Sequence, residues 1–304
     1  MQILRLADMT PIAPPPATCV ALGLFDGVHR AHAAVLRRAA ALAAERALPL
    51  LVYTFSGHDA PKAGIPRLCE EEERLTLLAK SGAELCALDR FSTARHRPPE
   101  QFFHEVLRAR LHAAVTVVGE DFRFGAGATG DAAMLARLQT AAGGEGVTVP
   151  AVCEGGTPIS STRIRTALAE GDVGTAASLL GRPYTLTLPV VRGAALGRTL
   201  GLPTANQLLP EGRALPADGV YVTEVVTPDG ARLRGVTDIG TRPTVNGGER
   251  RAETHILDYT GELYGAPLTV AFLARLRGEV AYPDLAALKA AIQHDIKEAR
   301  EWKP

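Results

Sequence analysis

Short, nearly continuous apolar runs alternate with longer amphipathic stretches through the first three-fifths of the chain. The runs at 20–24, 50–55, 85–88, 115–118 and 147–152 predict buried strands, and segments 31–47, 70–80, 99–111 and 131–142 predict the helices between them. Strands alternating with helices predict a parallel sheet with helical layers, whose ligands bind beyond the carboxyl ends of the strands. After Gly181-Arg-Pro-Tyr184 the texture changes. Strand-like runs at 186–191, 219–226, 233–238, 254–259 and 268–276 are separated by loops such as Pro228-Asp-Gly230 and Asn246-Gly-Gly248. That spacing predicts an antiparallel barrel, with an amphipathic helix over 284–301 packed on it. The change in texture predicts a boundary near 182–185, giving domains 1–182 and 183–304.

Length agrees, since 304 residues exceed the usual size of one domain. Lys+Arg and Asp+Glu both total 33, so no basic excess points to nucleic acid or an acidic membrane, and no oligomeric state is specified. The acidic run Glu70 to Glu73 precedes an apolar-periodic segment and reads as a helix first turn. Cys19, Cys69, Cys86 and Cys153 are scattered without metal-like spacing, and each reads as a buried reduced thiol. Pro11 and Pro14 to Pro16 interrupt the region where a signal peptide needs an apolar run, and no apolar stretch approaches the ~20 residues of a membrane span. The expected location is cytoplasmic.

Candidate chemistry concentrates in Gly197-Arg-Thr-Leu-Gly-Leu-Pro-Thr-Ala-Asn206. Pro203 fixes its own φ and pushes Leu202 toward an extended conformation. Thr204 and Asn206 are two apart, so on an extended backbone they project to one side, roughly 6.5 Å apart. A hydroxyl beside an amide oxygen suits a hard cation such as Mg²⁺, which keeps phosphate oxygens and waters. Gly197 and Gly201 would let the backbone approach a phosphate. A Gly/Pro-rich loop between strands is the plain alternative.

The segment resembles the signature of riboflavin kinases, and Glu253-Thr-His-Ile-Leu-Asp-Tyr259 and Glu262-Leu-Tyr-Gly265 follow at a fitting distance. Gly23-Leu-Phe-Asp-Gly-Val-His-Arg-Ala-His32 resembles the nucleotide-binding motif of the FMN adenylyltransferase module. In this order the modules resemble the bifunctional riboflavin kinase/FMN adenylyltransferase (prokaryotic FAD synthetase) family, from about Val20 to Trp302. The resemblance implies an α/β nucleotidyltransferase-like N-terminal domain with a Rossmann-like parallel sheet. It implies an antiparallel β-barrel riboflavin kinase domain after it. The implied activities are ATP-dependent phosphorylation of riboflavin to FMN and adenylylation of FMN to FAD, with Mg²⁺ as cofactor.

For adenylyl transfer the first motif lies at a strand-to-helix handover, where a helix start favours phosphate. His29 and His32, three apart, can face one phosphate chain, protonated or as hydrogen-bonding groups. Gly23, Phe25, Asp26 and Gly27 complete that motif. Ile159-Ser-Ser-Thr-Arg-Ile-Arg165 resembles the module's second phosphate motif, in which Ser161 or Thr162 would cap a helix and Arg165 would share a face with Ser161. Asp121 and His58 are carried over by resemblance. In the kinase module, Glu253 resembles the general base and Thr204 and Asn206 the Mg²⁺ ligands. Gly193, Gly197 and Gly201 resemble the phosphate-facing loop, with Gly240-Thr-Arg-Pro-Thr244 as a flap and Arg277 and Tyr282 near the flavin. Asp238 stands where the family more often has asparagine.

The chain departs from the family at Ala31, Gly57, Asp59 and Ala128, where glycine, two prolines and an arginine are usual. A cation lost near polyphosphate could cost ~1.5–3 kcal/mol, so weak adenylylation is expected. Two other readings are a kinase with a degenerate first domain and a non-catalytic flavin or nucleotide sensor. Intact Glu253, Thr204 and Asn206 speak against the sensor, which has no need of a base.

Overall fold

The structure, a computed structural model, describes residues 1–6, 15–56, 64–193, 201–242 and 249–303. The chain forms two compact units, Met1–Ser161 and Thr162–Pro304.

In the first unit six strands form one parallel sheet: β1 Gln2–Arg5, β2 Thr18–Leu22, β3 Leu50–Phe55, β4 Leu85–Asp89, β5 Ala113–Gly119 and β6 Glu145–Val149. Their order is β1-β4-β3-β2-β5-β6. β2 and β4 are buried along their whole length, which is why they read as unbroken apolar runs. Helices α1 Arg30–Glu45, α2 Glu71–Lys80 and α3 Ala132–Ala141 make the crossovers. Between β4 and β5 the expected single helix over 99–111 is instead a short α turn, Pro99–Gln101, running into a π-helix, Phe102–Arg108. The wider turn buries Phe102, Phe103, Val106 and Leu107 together, an i, i+1, i+4, i+5 pattern. One apolar layer holds these side chains with Leu135; the other holds Phe25, Val35, Leu36 and Leu42. The winding runs from β2 through β3 to β4 on one side and resumes at β5 on the other. The crevice between β2 and β5 is therefore the topological switch point, where ligands of such sheets bind.

The second unit begins with helices α4 Ser161–Glu170 and α5 Val173–Leu180. Six antiparallel strands follow: β7 Tyr184–Pro189, β8 Ala205–Leu208, β9 Gly219–Val226, β10 Arg232–Arg242, β11 Glu249–Ile256 and β12 Pro267–Arg277. Their order is β7-β12-β9-β10-β11-β8. The two end strands approach each other: Val191 N–H donates to Asn206 O at 2.7 Å, and Gln207 Nε2 donates to Leu188 O (2.7 Å) and Leu268 O (2.8 Å). A buried side chain thus bridges the seam of a nearly closed barrel.

Inside it, Thr223, Thr237 and Thr254 are fully buried and linked Oγ1 to Oγ1 at 2.9 Å. Helix α6, Leu285–Glu301, packs on the outer face, N-capped by Asp284, whose carboxylate accepts from Ala287 N–H at 2.8 Å. Ala299, Ile296 and Trp302 meet Val220, Val222 and Val236 there, and the Arg234 guanidinium lies 5.1 Å above the indole. The 246–248 turn lies outside the described residues.

Gln207→Leu should leave Leu188 O and Leu268 O unpaired in the buried seam. We expect a loss of about 2 kcal/mol, read in urea from the fluorescence of Trp302, the sole tryptophan.

Candidate active sites

In the first unit the motif 23–32 leaves β2 through a tight, strained turn. Phe25 (φ 52°), Gly27 (φ 79°) and Val28 (φ 40°) are all left-handed, and Val28 N–H donates to Phe25 O at 3.1 Å. For a β-branched valine this is an uncommon conformation, and such residues cost on the order of 1–3 kcal/mol. Buried contacts hold the turn: the Phe25 side chain is enclosed, Leu68 N–H donates to Asp26 Oδ1 (2.9 Å), and Ser161 Oγ donates to Asp26 O (3.0 Å). A Cβ on Gly23 would lie 3.0 Å from the Phe25 ring, so the packing needs glycine there.

His29 is the N-cap of α1, and its Nδ1 accepts from His32 N–H at 3.3 Å, which places any proton of a neutral His29 on Nε2. The two imidazoles stack with centroids 3.5 Å apart, and the edge of Phe25 closes the stack at 5.3 Å from His32. His32 Nδ1 is buried with no hydrogen-bond partner. Burial, then the neighbouring His29, hold the His32 pKa well below its ordinary value. Of the two expected forms, the structure thus carries the neutral imidazole at His32.

Two further residues support the turn, and the sequence reading passed over both. Buried Arg74 donates to Leu24 O (3.2 Å) and Phe55 O, joining the ends of β2 and β3. Gly27 N–H donates to Cys69 Sγ at 3.1 Å, and burial, with Asp26 nearby, pushes that thiol up to about 12. Such a thiol is structural.

Ser161 does not cap a helix. It is the first helical residue of α4, so the N-cap position falls on Ser160, while the Ser161 hydroxyl donates to Asp26 O. Thr162 and Arg165 follow on α4 in the second unit. Asp121 is exposed in the turn after β5, its Oδ1 3.1 Å from where a Cβ on Gly119 would stand. His58 lies outside the described residues, as do Gly57 and Asp59. Ala31 sits in the first turn of α1 with helical φ, whereas Ala128 is left-handed at φ 56°. Arg30 pairs with Glu154 and Arg123 lies 3.7 Å from Asp131. Around the carboxyl ends of β3, β4 and β5, Tyr53, Phe55, Phe91, Phe102, Phe122 and Phe124 form a chain of ring contacts at 5.2 to 5.8 Å. Phe55, Phe91 and Phe122 are partly exposed, an apolar wall suited to a flat ring.

In the second unit strand register alone assembles a site. Asn206 lies opposite Glu253, Glu253 opposite Asp238, Asp238 opposite Val220, and Val220 opposite Arg277. Directly paired residues share a face, so this row crosses five strands on the outside of the barrel. One step along, His255 and Val236 continue it. Apart from Asn206, these side chains line a cavity of about 460 Å³ beneath α6, together with Leu202, Thr204, Glu279, Val280, Tyr282, Leu288, Ile292 and Asp295. One part of its wall is carboxylate and hydroxyl; another is apolar.

Asn206 Nδ2 lies 3.4 Å from both Thr204 O and Thr204 Oγ1, so the two side chains do share a side. Asn206 Oδ1 is buried without a partner. A buried amide oxygen left unpaired beside a hydroxyl fits a hard cation that accepts few protein ligands. Among the described residues no group of three or more His, Cys, Asp or Glu could hold a metal. Gly193 packs on this amide: a Cβ there would stand 2.6 Å from Asn206 Oδ1. Gly201 has φ 78° with open space around it, so its glycine serves the turn. Gly197 lies outside the described residues, as do residues 243 and 244 of the flap.

Arg277 lines the cavity, but its guanidinium is committed to Asp295 of α6, Nε at 3.1 Å and a second nitrogen at 2.7 Å, and it lies over the Tyr282 ring at 5.7 Å. Burial works most strongly against the Arg277 charge, but the Asp295 hydrogen bond and the negative charge of Asp295, helped by Tyr282 and Asp238, together leave the pKa raised. His255 and Asp295 were not foreseen, although an aspartate at 295 among apolar 288, 292 and 299 on one helix face was a readable signal.

Comparison with known proteins bears on both units. A riboflavin kinase family model matches residues 180–303 and an FAD synthetase family model matches 12–163. The bifunctional riboflavin kinase/FMN adenylyltransferase of Escherichia coli K12 is 36% identical over 307 residues, covering 99% of this chain and 98% of its own. The chain belongs to the bifunctional riboflavin kinase/FMN adenylyltransferase family. Relatives of the same description from Pseudomonas fluorescens and Bacillus subtilis are 37% and 32% identical, covering 99% and 92% of this chain and 97% and 90% of their own. A crystal structure described as a macrolide-efflux protein from Streptococcus pneumoniae superposes with a TM-score of 0.90 at 32% identity over 100% of both chains. Among the described residues no helix is long and apolar enough to cross a membrane.

His32 is held neutral in the fold, whereas an unfolded chain binds its proton below the ordinary histidine pKa. The unfolded state then holds more protons, and stability falls as pH drops through that range. Denaturation followed from pH 7.5 to 5 should show a shallower decline for His32→Gln than for the parent chain. Gly193→Ala must push Asn206 aside and should lower riboflavin phosphorylation by on the order of 10²-fold, measured beside a melting curve that shows the variant folded.

Proposed function

We propose that the chain phosphorylates riboflavin at the barrel and adenylylates the FMN product at the parallel sheet, within functional regions 1–182 and 183–304. The observation that carries the kinase reading is the row Asn206–Glu253–Asp238, with the orphaned Asn206 oxygen at one end and an apolar-walled cavity beside it. Leu202, Val280, Leu288 and Ile292 suit an aromatic ring system, and the carboxylate end suits a hydroxylated chain. Glu253 accepts the proton of the terminal ribityl hydroxyl as that oxygen bonds to the γ-phosphorus of ATP. The bond from that phosphorus to the β–γ bridging oxygen breaks, and ADP leaves. Thr204 and Asn206 would hold Mg²⁺, which when bound neutralises charge on the phosphates. Gly193 and Gly201 flank the loop that would face them.

At the first unit, an FMN phosphate oxygen bonds to the α-phosphorus of ATP and pyrophosphate leaves. Protein groups position the chain and stabilise charge. The α1 N-terminus, with His29 and His32, faces the phosphates. The half-exposed phenylalanines near Asp121 take the flavin ring. Helical geometry at Ala31 supports an ordinary site there, against the degenerate-domain reading. Cys19, Cys69 and Cys86 are buried as expected whereas Cys153 is exposed, and the four thiols, free throughout the described residues, support a cytoplasmic location.

The two activities should separate. Glu253→Gln should cut riboflavin phosphorylation by ~10²–10⁴-fold while FAD still forms from supplied FMN. His29→Ala with His32→Ala should do the reverse. Chromatographic separation of FMN and FAD reads both; phosphorylation at the parent rate in the Gln variant would remove Glu253 from the mechanism. A parent chain that makes FMN and no FAD would establish the kinase-only reading.

A further inference from the structure

Among the described residues, few hydrogen bonds tie residues 201–204 to the barrel. Ladder pairing of β8 starts at Ala205, opposite Thr254. Ahead of it, the Asn206 contacts to Thr204 are long, 3.4 Å each. One short hydrogen bond reaches further: His255 Nδ1 lies 2.8 Å from Pro203 O. Among the described residues nothing else bonds residues 201–203 to the barrel. The carbonyl can only accept, so Nδ1 carries the proton and a neutral His255 leaves Nε2 bare.

Pro203 makes that bond consequential. Its φ is fixed by the ring and it has no N–H, so ψ is its one soft torsion and the carbonyl its one hydrogen-bonding group. Holding the carbonyl fixes ψ, hence the peptide plane whose other end is the Thr204 nitrogen; with Ala205 already held in the ladder, the Thr204 backbone that carries the hydroxyl is restrained from both sides. His255 is two residues from Glu253 on the same strand face and lines the same cavity. Base and cation ligand are thereby referenced to one strand.

We propose that His255 is a positioning residue for the nucleotide half of the kinase site, acting through Pro203 O to set the Thr204 hydroxyl. This rests on the kinase reading above. Asparagine can place an amide N–H near the position of Nδ1, whereas alanine cannot. His255→Ala should raise the KM for Mg²⁺-ATP about 3- to 10-fold, the scale of one lost hydrogen bond, and leave the KM for riboflavin unchanged. His255→Asn should return to within about 2-fold of the parent on the same scale. Both should keep the parent rate of FAD formation from FMN, which reports an intact chain. Two readouts need no turnover. Nitrogen-15 histidine spectra of the parent should show Nδ1 protonated and Nε2 bare, and Mn²⁺-ADP binding followed by electron paramagnetic resonance should weaken in His255→Ala. An Nε2-protonated His255, an alanine variant equal to the parent, an asparagine variant as impaired as alanine, or a shift in the riboflavin KM instead would each overturn the proposal. A parent chain that makes no FMN would defeat the kinase reading, while the tautomer would still decide whether the clamp exists.

Discussion

Side chains along a β-strand alternate between two faces, and in a nearly closed barrel one of those faces is spoken for. The interior takes Thr223, Thr237, Thr254, Tyr221 and Phe272, all without solvent exposure. Whatever chemistry the strands carry must then stand on the other face, at the positions between. Asn206, Glu253, Asp238 and Arg277 all fall there, and antiparallel register aligns them into one row. A slip of one residue in β11 would send Glu253 inward and Thr254 outward. The threonine ladder, the Gln207 bridge across the seam and the site are consequences of the same register.

The parallel unit meets a different constraint. Its strands are buried on both faces, so the sheet offers ligands its ends. The motif that leaves β2 has to reverse quickly and still deliver a helix N-terminus to the switch point. It does so with left-handed backbone at Phe25 and Val28, held by Asp26, Arg74 and the Cys69 sulfur. Strain of this kind persists where the surroundings over-determine it, and it coincides with the stacked pair of histidines.

These two constraints explain what could be read in advance. Buried strands such as β3 and β9 were visible to the residue because continuous or alternating apolar runs have few other solutions. β8, Ala-Asn-Gln-Leu, carries no such run; its pairing is decided by β11 and by the buried amides of Asn206 and Gln207. β1 is short, and among the described residues it pairs as a strand only with β4. The π-helix needed knowledge of what Phe102 and Phe103 pack against. Motif residues were legible because their chemistry is dense in the sequence. Their supports were not, because Arg74, Cys69, His255 and Asp295 act across 18 to 52 residues of chain separation. The N-cap expected at Ser161 or Thr162 falls earlier, because α4 already begins at Ser161, whose hydroxyl reaches the distant Asp26 carbonyl.

Helix α6 forms one wall of the cavity, and the Arg277–Asp295 ion pair fastens it there from the cavity side. Asp295 is almost wholly buried, so a helix that lifts away must rehydrate a carboxylate and abandon a guanidinium together. Docking of the helix is therefore closer to a two-position latch than to a graded adjustment. An occupant that touches Leu288 or Ile292 adds its contacts to the docked position alone. Its apparent affinity is the intrinsic affinity scaled by the fraction of molecules already latched, and the ion pair sets that fraction.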